Sequence, residues 1–290
     1  MTPYELLIAP FVEFGFMRRA LVGCAALALG SAPVGLFLIL RRLSLTGDAM
    51  AHAILPGAAV GFLVAGLSLP AMTLGGLVAG LAVALLAGLV SRATVLREDA
   101  TLACFYLISL ASGVLIVSLR GSNVDLMHVL FGTVLALDDP ALYLLAGIAS
   151  TTMLTLALLW RPLVLECVDP AFLRSVSRTS GLAHAALLVL VVINLVGGFQ
   201  ALGTLLSVGL MILPAASARF WVRELGPLVV VAAGLGLAAG LAGLVISYHA
   251  ALPSGPAIIL AAGMGWLGSL LFGTHGGLAY RLWPRAHQEA

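Results

Sequence analysis

In Gly47-Asp48-Ala49-Met50-Ala51-His52-Ala53-Ile54-Leu55-Pro56-Gly57, a carboxylate and an imidazole stand four residues apart among apolar neighbours. On a helix that spacing sends both side chains out of the same face. Ionisable groups are costly in hydrocarbon and are read there as functional. Asp and His are also good ligands for a divalent transition metal. Two ligands make half a site, since zinc usually takes about four and manganese up to about six. A two-fold dimer with this helix near its axis would double the set, and ligands from two chains can separate to release an ion. Spacing alone leaves two alternatives open. Asp48 could cap a helix starting beside Gly47, with His52 hydrogen-bonded inside the bundle. The pair could instead relay protons in a secondary transporter or channel.

Other polar candidates are weaker. His249 lies in the turn Ser247-Tyr248-His249-Ala250-Ala251-Leu252-Pro253-Ser254-Gly255-Pro256, and His128 follows Asn123-Val124-Asp125-Leu126-Met127. Either would meet an arriving ion on the outer side, or serve as a plain interfacial histidine. His184, His275 and His287 read as structural or solvent-exposed. Cys24, Cys104 and Cys167 show no paired spacing and read as small buried apolar residues. In the stretch from Leu213 to Glu224, Pro214 is expected to break an apolar helix, with a short basic amphipathic helix following at the membrane face. That helix would bind headgroups or dock a cytoplasmic partner through Pro214, Ala215, Ala216, Ser217, Arg219, Arg223 and Glu224.

The elements that must carry these residues follow from composition. Of 290 residues, 62% are hydrophobic and 9% charged, with a mean hydropathy of +1.16. Soluble domains carry about a quarter charged residues, so an ordinary globular protein is excluded. Apolar segments fall near 20–40, 49–66, 71–91, 100–118, 140–160, 183–199, 201–214, 226–248 and 254–273. They predict an all-α, polytopic membrane protein of eight or nine helices. The pair around Gly197, Gly198 and Gly203 reads as two tilted helices or one broken one. Arg18 and Arg19 precede an apolar run that reaches Leu40, too long for a secretion signal. Residues 1–19 form an amphipathic entry segment.

Arg clusters at 92–97, 161–178, 219–223 and 281–285 assign one set of loops to the cytoplasm, together with the tail at 276–290. The loops near 67–70, 121–139 and 249–254 then lie outside. The first helix has two Arg at each end, which leaves its direction open. Gly76, Gly80, Ala84 and Gly88 form a small-residue row suited to close helix packing. All the basic residues are Arg, and without Lys the chain cannot form a phosphate-binding P-loop. If a nucleotide drives the protein, another polypeptide hydrolyses it. Zinc-protease, nucleophile-elbow and dinucleotide motifs are missing, so the chain is not expected to be an enzyme. No basic patch with interleaved aromatics points to nucleic acid.

At these residues the chain resembles the permease subunits of bacterial ABC-type zinc, manganese and iron importers. Three ordered blocks carry the likeness: Arg41-Arg42-Leu43-Ser44-Leu45-Thr46-Gly47-Asp48 through Ala51-His52-Ala53-Ile54-Leu55-Pro56-Gly57; Leu210-Met211-Ile212-Leu213-Pro214-Ala215-Ala216-Ser217-Ala218-Arg219; and Leu252-Pro253-Ser254-Gly255-Pro256. With the helices between, it covers roughly residues 15 to 275.

The resemblance implies one transmembrane domain over residues 1–290, of the type II ABC importer kind, in the bacterial inner membrane. It implies a homodimer, two cytoplasmic ATPase subunits and an extracytoplasmic metal-binding protein. It carries a metal-path role to Asp48 and His52, and a coupling-helix role to residues 214–226. The transported ion would be Zn2+ or Mn2+, with zinc slightly favoured by a mixed imidazole and carboxylate set. A permease of the same architecture for a metal chelate is a further alternative. One departure stands out: such permeases often carry Asp after Phe131-Gly132, where this chain has Thr133, and no role is assigned there.

Overall fold

Backbone polar groups have no water to bond in hydrocarbon, so long apolar segments fold as helices. The computed structural model describes residues 3–66, 68–119, 134–177 and 179–279, and no strand occurs among them. Two short helices, α1 (Pro3–Leu7) and α2 (Ala9–Glu13), lead into α3 (Gly15–Leu40). Next come α4 (Thr46–Ala53), α5 (Leu55–Ala65), α6 (Leu69–Ala93) and α7 (Glu98–Leu119). The remainder comprises α8 (Asp139–Leu158), α9 (Trp160–Val168), α10 (Pro170–Val176), α11 (Thr179–Leu202), α12 (Thr204–Ala218), α13 (Leu225–Ala250) and α14 (Ser254–Phe272). Among the described residues, 8 helices are long and apolar enough to cross a membrane, with α4 and α5 counted as one, and α12 is a shorter apolar helix. The expected eight or nine is what forms.

Two helices make the centre. The most apolar stretches of α3 and α11 are each 72% buried, against 22% for α7 and 28% for α8 and α14. Asn194 of α11 adjoins Gly30 of α3, and Gly198 adjoins Leu27, so the two run antiparallel. Gly240 and Gly236 of α13 meet Cys24 and Ala28, which makes α13 antiparallel to α3 as well. Alternation of the helices then gathers Arg41, Arg42, Arg92, Arg97, Arg161, Arg174, Arg219 and Arg223 at one end, and Arg18 and Arg19 at the other. The Arg-rich end is the cytoplasmic one. This resolves the direction of the first helix: Arg41 and Arg42 are inside, while Arg19 lies outside, 3.2 Å from Asp139 at the start of α8.

Close approach depends on small residues. The α5–α6 crossing sets Gly57 on the backbone of Gly75 and Gly61 on that of Ala71, and Gly35 of α3 abuts the Met211 carbonyl. The predicted row on α6 is used for packing: Gly76 and Gly80 receive Ile54 and Val192, and Gly88 receives His184.

Two expectations are corrected. Pro214 does not end its helix, since α12 runs through it to Ala218. Proline removes one N–H, but no water competes for the backbone there, and the Ser217 hydroxyl bonds the Leu213 carbonyl within the same turn. The break falls instead at Gly203, whose φ of 93° suits glycine and reverses the chain from α11 into α12. Nor does an amphipathic helix follow Pro214, because residues 219–224 form a turn and bend. That turn is closed from outside itself: His275 N–H donates to the Phe220 carbonyl at 2.8 Å, and the Trp221 indole donates to Ser269 Oγ at 2.9 Å.

A candidate metal site in the second membrane span

The turn after α3 delivers the chain into α4. Leu43 N–H bonds the Leu38 carbonyl and Arg42 N–H that of Ile39, a Schellman closure with Arg42 at φ 61° in the left-handed region. Helix α4 then starts at Thr46, with Gly47 against Val208, Met211 and Ile212 of α12. Pro56 separates α4 from α5 because it has no N–H for the carbonyl four residues back, that of His52. The next carbonyl, Ala53, accepts from the Ser109 hydroxyl of α7 at 2.9 Å.

Asp48 lies in the first turn of α4 but makes no capping hydrogen bond, so the cap alternative does not describe it. Its side chain is 69% exposed in the single chain, and that of His52 is 32% exposed. His52 Nε2 is 3.9 Å from Asp48 Oδ1, beyond hydrogen-bond reach. Two donors on one ion at about 2.1 Å lie about 3.0–3.4 Å apart, so a small side-chain rotation would bring the pair into ligating range. His52 Nδ1 is buried without a hydrogen-bond partner, and the ring sits 6.4 Å from that of Tyr106. A histidine satisfied inside the bundle is therefore not what forms. Such an orphaned polar atom lacks a partner within the single chain.

The pair belongs to a seam. Leu45, Asp48, His52, Leu55 and Ala59 alternate spacings of three and four along α4 and α5, and none of them is buried. Among the described residues no group of three or more His, Cys, Asp or Glu side chains could hold a metal ion.

The other candidates do not join the pair. His249 sits at the outer end of α13, its Nδ1 3.0 Å from the Val245 carbonyl and its ring edge-on to Tyr248. His128, the Phe131–Thr133 stretch and the tail beyond residue 279 lie outside the described residues. In the coupling candidate, Pro214, Ala215 and Ser217 are buried and Ala216 is half-buried. Arg219, Trp221, Arg223 and Glu224 are exposed, so within this segment the turn presents the accessible side chains. Cys104 is exposed rather than buried, on the lightly packed α7. Burial pushes the Cys167 thiol up to about 11, with Arg41 drawing it down and Glu166 raising it, so it stays an unreactive thiol.

Sequence reasoning missed a second polar cluster, at the cytoplasmic end. Arg41 Nη1 lies 2.6 Å from His184 Nδ1, and Arg41 Nη2 lies 3.6 Å from Glu98 and 3.8 Å from Glu166. Ser180 Oγ donates to Glu166 at 2.6 Å. Its members come from α3, α7, α9 and α11, so no local spacing announces them. The usable signal was their mere presence, as ionisable residues in so apolar a chain.

A multi-pass bundle, helical throughout its described residues and carrying an unburied ionisable pair in one span, has the make-up of a membrane permease. The chain belongs to the ABC 3 transport family, whose model matches residues 13–273. It is 32% identical over 255 residues to the manganese import system permease protein ScaB of Streptococcus parasanguinis, covering 88% of this chain and 90% of that one. It is 28% identical over 269 residues to the chelated iron transport system membrane protein YfeD of Yersinia pestis, covering 93% and 89%. Among solved structures it resembles PsaBC from Streptococcus pneumoniae in complex with Fab, with a TM-score of 0.83 and 28% identity over 97% of this chain and 99% of that one. The resemblance read from the three sequence blocks is borne out: this is an ABC transporter permease, multi-pass in the bacterial inner membrane.

Proposed function

We propose that the chain is the membrane subunit of an ATP-driven manganese importer, in which Asp48 and His52 of two protomers together hold the ion in transit. The carrying observation is the open pair itself. A largely exposed carboxylate and an imidazole with an orphaned nitrogen sit on an unburied seam of a membrane span. Lipid is a poor cover for that seam, and a second copy supplies the missing two ligands. Two carboxylates and two imidazoles suit Mn2+ and Zn2+ alike. The manganese relatives tip the choice to Mn2+ over the zinc that ligand chemistry alone slightly favoured. The ATP is hydrolysed by two cytoplasmic subunits, and a metal-binding protein delivers the ion outside. Alternating access then moves the site between the two faces.

The test is Mn2+ binding to the purified permease, followed by electron paramagnetic resonance of the free ion. One ion per two chains is expected, lost in Asp48→Ala and displaced by competing Zn2+, which binds such a ligand set more tightly. One ion per chain, unaffected by Asp48→Ala, would overturn the shared site. For the ATPase contact, the exposed turn at 219–224 is the surface, and Arg219→Glu is expected to reduce recovery of the permease–ATPase complex severalfold through charge reversal. Undiminished recovery would remove the turn from that interface.

A further inference from the structure

The cytoplasmic cluster has a geometry that reaches the Asp48–His52 pair. Arg41, the residue that ends α3, is only 13% exposed, and its guanidinium meets groups from three other helices. A guanidinium offers N–H donors and no acceptor. His184 Nδ1, 2.6 Å from Arg41 Nη1, therefore accepts, and the ring is neutral with its proton on Nε2. Glu98 Oε1 lies 3.3 Å from Nε2, close in space but outside hydrogen-bond geometry. The charged and titratable groups facing His184 are Arg41 of α3, Arg97 and Glu98 at the start of α7, and Glu166 of α9. They line a cavity of about 240 Å³ together with Ser91 and Ser180.

Helix α7 closes a ring. Glu98 lies at its base, and eight residues on, about 12 Å along the axis, Tyr106 flanks the His52 ring. One turn further, Ser109 holds the Ala53 carbonyl. The route from Arg41 through the turn and α4 to His52, across to Tyr106, down α7 to Glu98 and back to Arg41 is continuous. Within that ring, Leu43, Met50 and Ile54 share one core with Phe37 and Leu38 of α3, so α4 has little independent play.

We propose that Arg41 and His184 are positioning residues for the cargo site, setting the height of α7 against the α3–α4 turn and so the place of His52 and Asp48. The inference rests on the reading of Asp48 and His52 as cargo ligands.

Its test is Mn2+ uptake by the reconstituted permease–ATPase complex, measured against Mn2+ concentration at several pH values on the cytoplasmic side, with ATPase rate recorded in parallel. Acid puts a proton on His184 Nδ1, which then no longer accepts from Arg41. In the wild type the half-saturating Mn2+ concentration is expected to rise about tenfold on acidification, the scale of losing an outer-shell partner. His184→Gln, whose amide accepts from Arg41 without titrating, should hold the neutral-pH value and lose the pH response. Arg41→Lys keeps the charge but loses the fork, and should show the raised value at every pH. Should Arg41→Lys fail to assemble, His184→Gln decides. A wild-type pH response in His184→Gln, or an unchanged half-saturation in Arg41→Lys, overturns the positioning role. If Asp48→Ala is inactive while both of these variants match wild type, only the positioning fails; if Asp48→Ala transports normally, the ligand reading itself has fallen.

Discussion

Mn2+ uptake by the complex carrying Asp48→Ala, or His52→Ala, is expected to fall at least about 100-fold, beyond what loss of a merely supporting group would cost. The prediction is sharp because neither change should harm the fold. Asp48 is largely exposed and makes no cap, and His52 lacks a hydrogen bond at Nδ1. Alanine is the better helix former at both positions. In a two-fold site each substitution also removes two ligands at once. Wild-type uptake and affinity in both variants would sink the ligand assignment.

Gly75→Ala is expected to destabilise the protein by about 2–3 kcal/mol, within the usual range for overpacking a filled interior. A Cβ at Gly75 would land on the carbonyl of Gly57, and one at Gly57 on the carbonyl of Gly75. Backbone cannot step aside as a side-chain tip can. The same substitution at Gly234, where a Cβ meets nothing within 4 Å, should stabilise its helix by about 0.8 kcal/mol. Thermal unfolding in detergent separates the two. A Gly75→Ala protein melting at or above the wild-type temperature would show that the crossing has slack.

Features encoded over short distances were legible in the sequence. Asp48 and His52 were found because four residues of spacing carry the whole signal, and the spans because hydropathy is a local sum. Proline was over-read: in water Pro214 would end a helix, whereas in an apolar bundle the chain bends at Gly203 instead. The ends of α11 were under-read, since Thr179, Ser180 and Gln200 belong to the helix but dilute an apolar count. The Arg41 cluster was legible only as scattered ionisable residues in an apolar chain, not as a cluster. Arg41 and His184 are 143 residues apart, and only the antiparallel course of α3 and α11 brings them together. That same course fixed the direction of α3, which Arg pairs at both its ends had left undecided.

The turn at 219–224 connects α12 to α13 in the chain, yet Ser269 and His275 fasten it to the end of α14 as well. Gly273 lets that fastening close, because a Cβ there would collide with Phe220. Mechanically the turn is a yoke rather than a lever arm. A load applied at Trp221 would be shared by three staves of the bundle rather than borne by a single helix.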